Sequence, residues 1–516
     1  MSFSRRGACP ALSAPMQTGD GLLVRISPLA GELAPNTLIG LCESAARHGN
    51  GIVEVTARGS IQIRGLTPES ACLLAEEVDT LGIAVRIGVP VDTSPLAGMD
   101  PEEVADPTPL AAAIRTAIEQ AGLTPRLGPK MSVVVDGRGQ IGLGAIMGDV
   151  RLVAVDSNQW SLSLAGDEKA ATFVGEFDED DACAATLDIL HAITALGREG
   201  RARDLDPEVT RAALIGLETS RSFAPPSVLP DISPSRGEIS RYRRPTQSLQ
   251  EDRVAEHSEP AQAPRLPISP LEGEMSGRTE GGAKELAAAN ATAVKTDSTS
   301  ERSAPTDSFP IGILPLTSSR IALGIALPFG SVDASTLITF CHAATTAGAT
   351  GIRPAPGRTL LVMGLDRASA AALTATASSL GLVTSPTDPR IRIAACPGAP
   401  ACASGLIAAR DVASDIADLV NSFDSTLSLH VSGCAKGCAH PGPATLTIVG
   451  DEKGAAFVVG GTAKGLPAAY TAGYEAARGM GRLTKLLAQE RKPDENAGAC
   501  LARLGAKRLA QALAQE

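Results

Sequence analysis

A chain that repeats itself must fold as copies of one scaffold, and this sequence carries such a repeat across most of its length. Residues 20–66 read strand, helix, strand: GLLVRISP, then Pro35 to His48 with an apolar helical period, then GIVEVTARGSIQIRGL. A helix over Pro68 to Leu81 and a short strand, IAVRIG, follow. The same order returns about 300 residues later. IALGIALPFG precedes a helix from Asp333 to Ala347, then GIRPAPGRTLLVMGL, a helix from Arg367 to Leu380, and GLV. Thr37-Leu-Ile-x-x-Cys42 recurs as Thr336-Leu-Ile-x-x-Cys341, which places both cysteines at core positions of equivalent helices. Farther on, MSVVVDG at 131–137 matches LSLHVSG at 427–433, and Gly166-Asp-Glu-Lys169 matches Gly450-Asp-Glu-Lys453. The unit is therefore a small αβ domain plus a larger mixed one, roughly 180–190 residues in all.

Only the second copy carries a dense cysteine pattern. Cys396-Pro-Gly-Ala-Pro-Ala-Cys402 and Cys434-Ala-Lys-Gly-Cys438 give C-x5-C and C-x3-C, separated by a helix read over Ser404 to Val420 and a strand at 427–431. Each iron of a cubane takes one terminal sulfur, so four thiolates in two short loops suit a 4Fe–4S cluster. A helix starting just after Cys402 would aim its N–H groups at that negative charge. Zinc sites favour C-x2-C or C-x4-C pairs, and disulfides need an oxidising compartment. The other six cysteines (9, 42, 72, 183, 341 and 500) read as small buried hydrophobes.

Composition narrows the function classes. Aromatics are 3% of the chain, so cores must be built from Ala, Leu, Val and Ile, and stacking platforms for nucleic acid are excluded. The net charge of −11 argues the same way, and any acidic ligand needs a local basic pocket. No run of 18 apolar residues offers a membrane span. Arg5-Arg6 lacks the apolar segment of a twin-arginine signal, which points to a reducing cytoplasm.

Residues 203–309 are rich in Pro, Ser, Glu, Arg and Ala, with a small internal echo (232–240 against 268–276), and read as a disordered linker insertion. The expected organisation is a half-domain at 10–100, a mixed αβ domain at 101–202, the linker, a second half-domain at 310–390, a second mixed domain at 391–495 and a C-terminal helix at 496–516. Gly142 to Gly148 has the glycines of a dinucleotide loop, but it lies between two strands and opens no helix.

In Thr56-Ala-Arg58-Gly-Ser-Ile-Gln62-Ile-Arg64-Gly65, a period of two puts Arg58, Gln62 and Arg64 on one strand face. Two guanidiniums and an amide there suit carboxylates. The competing reading is a solvated strand face. Lys130 and Lys436 would add to a basic pocket.

The C-x5-C and C-x3-C pair, the T-x-R-x-x-x-Q-x-R-G strand and the duplicated layout resemble the sulfite and nitrite reductase family. That resemblance implies an α+β fold, each half a ferredoxin-like domain plus a larger mixed αβ domain. It also implies a 4Fe–4S cluster on Cys396, Cys402, Cys434 and Cys438. Leu127-Gly-Pro-Lys130-Met-Ser132 keeps one of that family's two lysines, and Val89-Pro-Val-Asp-Thr93 lacks its second arginine. Arg5 to Pro10, Ala14 to Arg25 and Ser94 to Pro101 are similar instead to the precorrin-3B synthase branch. That branch implies a monooxygenase of aerobic cobalamin biosynthesis acting on precorrin-3A with dioxygen, fed by a separate reductase or ferredoxin. Arg58, Gln62, Arg64, Lys130 and Lys436 would then meet substrate carboxylates. A non-haem iron is also implied, with His430 and His440 the best placed of six histidines; His430 reads more readily as a satisfied core histidine, and His440 equally as a hydrogen-bond donor to a cluster sulfur. The alternative is a sirohaem-dependent sulfite or nitrite reductase.

Overall fold

The computed structural model describes residues 10–222 and 309–514, apart from Ser422 and Ser425. Most of the expected linker, its internal echo and the Arg5-Arg6 segment lie outside the described residues. Two compact units are present, 1–205 with 303–516, and 206–302. Of the latter, the helix α5 below is the described part.

In chain order the elements are β1 Met16–Thr18, β2 Gly21–Ile26, α1 Pro35–His48, β3 Ile52–Val55, β4 Ile61–Leu66 and α2 Pro68–Thr80. Then come β5 Val91–Asp92, α3 Thr108–Gln120, β6 Val133–Asp136, β7 Gly148–Ala154, β8 Gln159–Gly166, β9 Thr172–Asp178, α4 Glu179–Ala195 and α5 Pro207–Ser222. The second copy runs β10 Gly312–Pro315, β11 Ile321–Ala326, β12 Ser331–Asp333, α6 Ala334–Thr346, β13 Gly351–Ala355, β14 Thr359–Leu365 and α7 Arg367–Ser379. It continues with β15 Ile393–Ala395, α8 Ala409–Val420, β16 Leu429–Ser432, β17 Ala444–Asp451, β18 Gly454–Gly461, β19 Ala469–Thr471, α9 Ala476–Glu490 and α10 Ala497–Leu513.

The two small sheets run β1-β2-β4-β3-β12 and β10-β11-β14-β13. Their helices α1 and α6 meet in one core, where Leu38, Leu41, Cys42 and Ala45 face Leu337, Phe340, Cys341 and Ala344. Fully burying each of the larger apolar side chains stabilises the pair by about 1.5–3 kcal/mol. The halves also exchange backbone. Strand β12 of the second copy pairs antiparallel with β3 of the first, Val332 opposite Val53. In return, Leu33 exchanges two backbone hydrogen bonds with Ile352, of 3.0 and 2.8 Å. Thr67 and Ser70 close a capping box at the start of α2, with Pro68 in the first turn.

The larger sheets share one topology, β5-β6-β7-β8-β9 and β15-β16-β17-β18-β19. In each, the first three strands are parallel and the rest antiparallel. Ligands of parallel sheets sit beyond the carboxyl ends of the strands. Both cysteine loops start there: β15 ends at Ala395, one residue before Cys396, and β16 ends at Ser432, two before Cys434.

Several local readings change. The stretches 51–66 and 351–365 are hairpins, not single strands, because Gly59 and Arg358 take positive φ and reverse the chain. IAVRIG forms no strand; Val85 makes only an isolated bridge with Pro28. Helix α8 begins at Ala409, since residues 399–408 form turns that hold Cys402. The two Gly-Asp-Glu-Lys segments are not equivalent: one turns β8 into β9, the other β17 into β18. Cys42, Cys341 and Cys500 are buried, but Cys72 is exposed. Cys9 lies outside the described residues.

Candidate functional site

The two cysteine loops are laced together by backbone. Leu406 N–H donates to Gly433 O at 2.7 Å, Ala399 N–H to Ile407 O at 2.8 Å, and Cys402 N–H to Gly398 O at 2.8 Å. Gly433 N–H donates to Cys396 Sγ at 3.1 Å, a bond that favours a thiolate over a thiol. Gly398 has φ +68°, and a Cβ there would collide with Ala409 N and Ile407 O. Lys436 Nζ reaches Ser404 Oγ at 2.6 Å, joining one loop to the other. Burial pushes the Cys438 thiol up, and the nearby Cys396, Cys434 and Cys402 push it further.

Among the described residues, no three His, Cys, Asp or Glu side chains converge tightly enough to hold a single ion. A cubane distributes its four terminal ligands around a larger body. The donor set, the sulfur-directed N–H and the glycine-lined loops fit that group.

The first half braces these loops. Arg64, 4% exposed, donates to both Asp20 oxygens at 3.0 Å and to Ala401 O in the first cysteine loop. Burial alone would lower the Arg64 pKa, but the Asp20 hydrogen bond and the Glu54 and Asp20 charges lift it. Gln62 donates to Glu54, and Arg25 Nε to Gln62 Oε1 at 3.0 Å. Glu54, 3% exposed, takes Arg410 of α8 at 2.6 Å and Arg64 at 3.8 Å. Gln62 and Arg64 therefore share a face, and that face is committed to the domain junction.

Arg58 is elsewhere. It sits in the β3–β4 turn, not on the strand, and pairs with Asp92 at 3.0 Å while donating to Met147 O. Lys130 is exposed, with its carbonyl accepting from Arg201 at 2.8 Å. In the first copy the loop that replaces C-x3-C is held by Arg151, 2% exposed, which donates to Leu143 O at 3.1 Å and also to Ile146 O.

His430 and His440 stack edge to face with centroids 5.8 Å apart. His430 is fully buried and neither ring nitrogen has a partner; burial, then His440 and Arg358, bring its pKa down to about 4. His440 Nε2 lies 3.2 Å from Pro443 O. Among the described residues no third His, Cys, Asp or Glu side chain groups with this pair.

Sequence reasoning passed over Asp20, Glu54, Arg358 and Arg410. Arg358 had a signal, since it follows Gly357 in the hairpin that repeats the one carrying Arg58. Glu54 and Arg410 pair across domains and had none, and Asp20 meets Arg64 only through the folded first half-domain.

Residues 14–81 match the nitrite/sulfite reductase ferredoxin-like half domain. A precorrin-3B synthase from Sinorhizobium sp. is 36% identical over 515 residues, 99% of this chain and 95% of that protein. The chain belongs to the precorrin-3B synthase family. Its fold is that of the Mycobacterium tuberculosis NirA protein, with a TM-score of 0.63 at 16% identity, covering 95% of this chain and 84% of that one. In this precorrin-3B synthase family member the duplicated α+β scaffold carries the cysteine loops in its second half alone.

Proposed function

We propose that the chain is itself a precorrin-3B synthase. This is an oxidoreductase of the monooxygenase type, hydroxylating precorrin-3A at C20 with dioxygen while a ring-A acetate closes a lactone. The observation that carries this reading is the 36% identity to a precorrin-3B synthase over 99% of the chain. Cys396, Cys402, Cys434 and Cys438 would hold a 4Fe–4S cluster, which supplies single-electron transfer when bound. The Gly433 N–H on Cys396 Sγ stabilises the ligating thiolate, and Lys436 fixes the spacing of the loops.

Arg58, Lys130 and Lys436 are exposed enough to meet peripheral carboxylates of a tetrapyrrole. Gln62 and Arg64 act behind them, setting the cysteine loop against the first half. Among the described residues no helix is long and apolar enough to cross a membrane. A reducing cytoplasm and a separate electron-donor protein suit a chain with this cluster site.

The test is anaerobic reconstitution with iron and sulfide, followed by precorrin-3A, oxygen and a reductant. A hydroxylated lactone, seen by mass spectrometry, is expected. Unchanged precorrin-3A alongside sulfite or nitrite turnover and a haem spectrum would overturn the reading.

A further inference from the structure

Arg58 and Arg358 hold matching hairpin positions, and each donates to its own half's long loop, Arg58 to Met147 O and Arg358 to Ala439 O at 2.7 Å. The hairpins touch: Gly357 N–H donates to Ala57 O at 3.1 Å. Their charge environments differ. Arg58 is neutralised by Asp92 on β5. The register that sets Asp92 beside Val134 sets Ala394 beside His430 in the second copy, so alanine stands where the carboxylate would be.

Among the described residues no Asp or Glu pairs with Arg358; burial lowers its pKa, and Arg410 repels it further. Arg410 is itself engaged by Glu54 at 2.6 Å. The Arg358 stem lies against Gly330, where a Cβ would crowd its Cδ. His430, the strand partner of Ala394, is fully buried with both ring nitrogens unpartnered, and its ring packs on His440, the residue after the Ala439 whose carbonyl Arg358 holds. A neutral imidazole offers one N–H donor. Ala394 itself is half-buried. A mostly buried guanidinium that meets a carbonyl, and no carboxylate among the described residues, carries a desolvation cost that an anion would offset.

We propose that Arg358 and His430, beneath the second cysteine loop, form a binding site for a carboxylate or similar oxyanion occupying the place that Asp92 fills in the first half. The ligand is either a free small anion or a carboxylate borne by the tetrapyrrole substrate.

The full-length chain is tested with acetate and inorganic phosphate, against chloride at equal ionic strength, by thermal unfolding and calorimetry. Acetate or phosphate is expected to stabilise wild type, and R358Q to weaken that binding roughly tenfold. A394D supplies the carboxylate internally; it should raise the melting temperature and abolish the anion response. If R358Q does not fold, A394D alone decides: an anion response that persists in it overturns the proposal. Precorrin-3A separates the sources. A loss of tetrapyrrole affinity in R358Q, with or without a free-anion response in wild type, assigns the site to a substrate carboxylate. An anion response with unchanged tetrapyrrole affinity assigns it to a free oxyanion. Wild type indifferent to both anions, together with unchanged tetrapyrrole affinity in R358Q, overturns it.

Discussion

Arg410, in the first turn of α8, closes a 2.6 Å ion pair on Glu54, a β3 residue of the opposite half. Glu54 also faces Arg64, so one buried carboxylate balances two guanidiniums that grip the cysteine-bearing domain.

Replacing it by an amide leaves Arg410 without its carboxylate and Arg64 with Asp20 alone. E54Q is expected to lose about 3 kcal/mol of stability, at the low end for removing one partner of a buried ion pair. A urea unfolding midpoint equal to that of wild type would refute this.

The loop geometry makes a second prediction. G398A must place a Cβ against Ala409 N at φ +68°, a strain of about 1–3 kcal/mol. Iron uptake on reconstitution should fall well below wild type while the far-ultraviolet circular dichroism of the whole protein stays that of wild type. Full iron uptake in G398A would contradict the packing described.

Stability should depend on pH through Glu103. Its Oε1 is buried without a partner, and burial, with Asp106, Asp100 and Asp136 nearby, pushes its pKa up from 4.5 to about 7, against the Gly98 N–H bond at 2.8 Å. A raised carboxyl pKa means the folded state holds its proton longer than the unfolded chain. This contribution is therefore fully present below pH 4.5 and lost as pH rises through 7. E103Q should flatten that dependence, and parallel urea midpoints from pH 4 to 8 in both proteins would disprove it.

Thiol reactivity offers a fourth check. Burial pushes Cys341 up to about 12 and Cys42 higher still, with the two thiols facing each other across the α1–α6 core. Thiolate is the reactive form. Iodoacetamide at pH 8 should modify exposed Cys72 in the folded protein and leave Cys42 and Cys341 untouched until it is unfolded, as peptide mass mapping will read.

The duplication was legible because helical periodicity and Thr37-Leu-Ile against Thr336-Leu-Ile report core positions that local sequence controls. Cysteine spacing was legible because ligand sets of short loops are local too. The Gly-Asp-Glu-Lys match misled for an equally local reason. Asp167 accepts from Lys169 N–H at 3.1 Å and Asp451 from Lys453 N–H at 2.7 Å, so the tetrapeptide encodes a turn and can serve any hairpin. Arg58 was assigned to the Gln62 face because Gly59 reverses the chain where residue alternation alone would continue it. Glu54 with Arg410 was invisible, since nothing short of the folded arrangement brings β3 to α8.

The strand exchanged between halves has a consequence for manipulating this protein. A fragment ending near residue 205 would present the bare β3 edge that Val332 otherwise covers, an aggregation-prone template. Severed at the intervening segment and produced together, the two pieces should find each other through that edge and rebuild the whole by complementation, which makes the molecule a natural candidate for a split reporter.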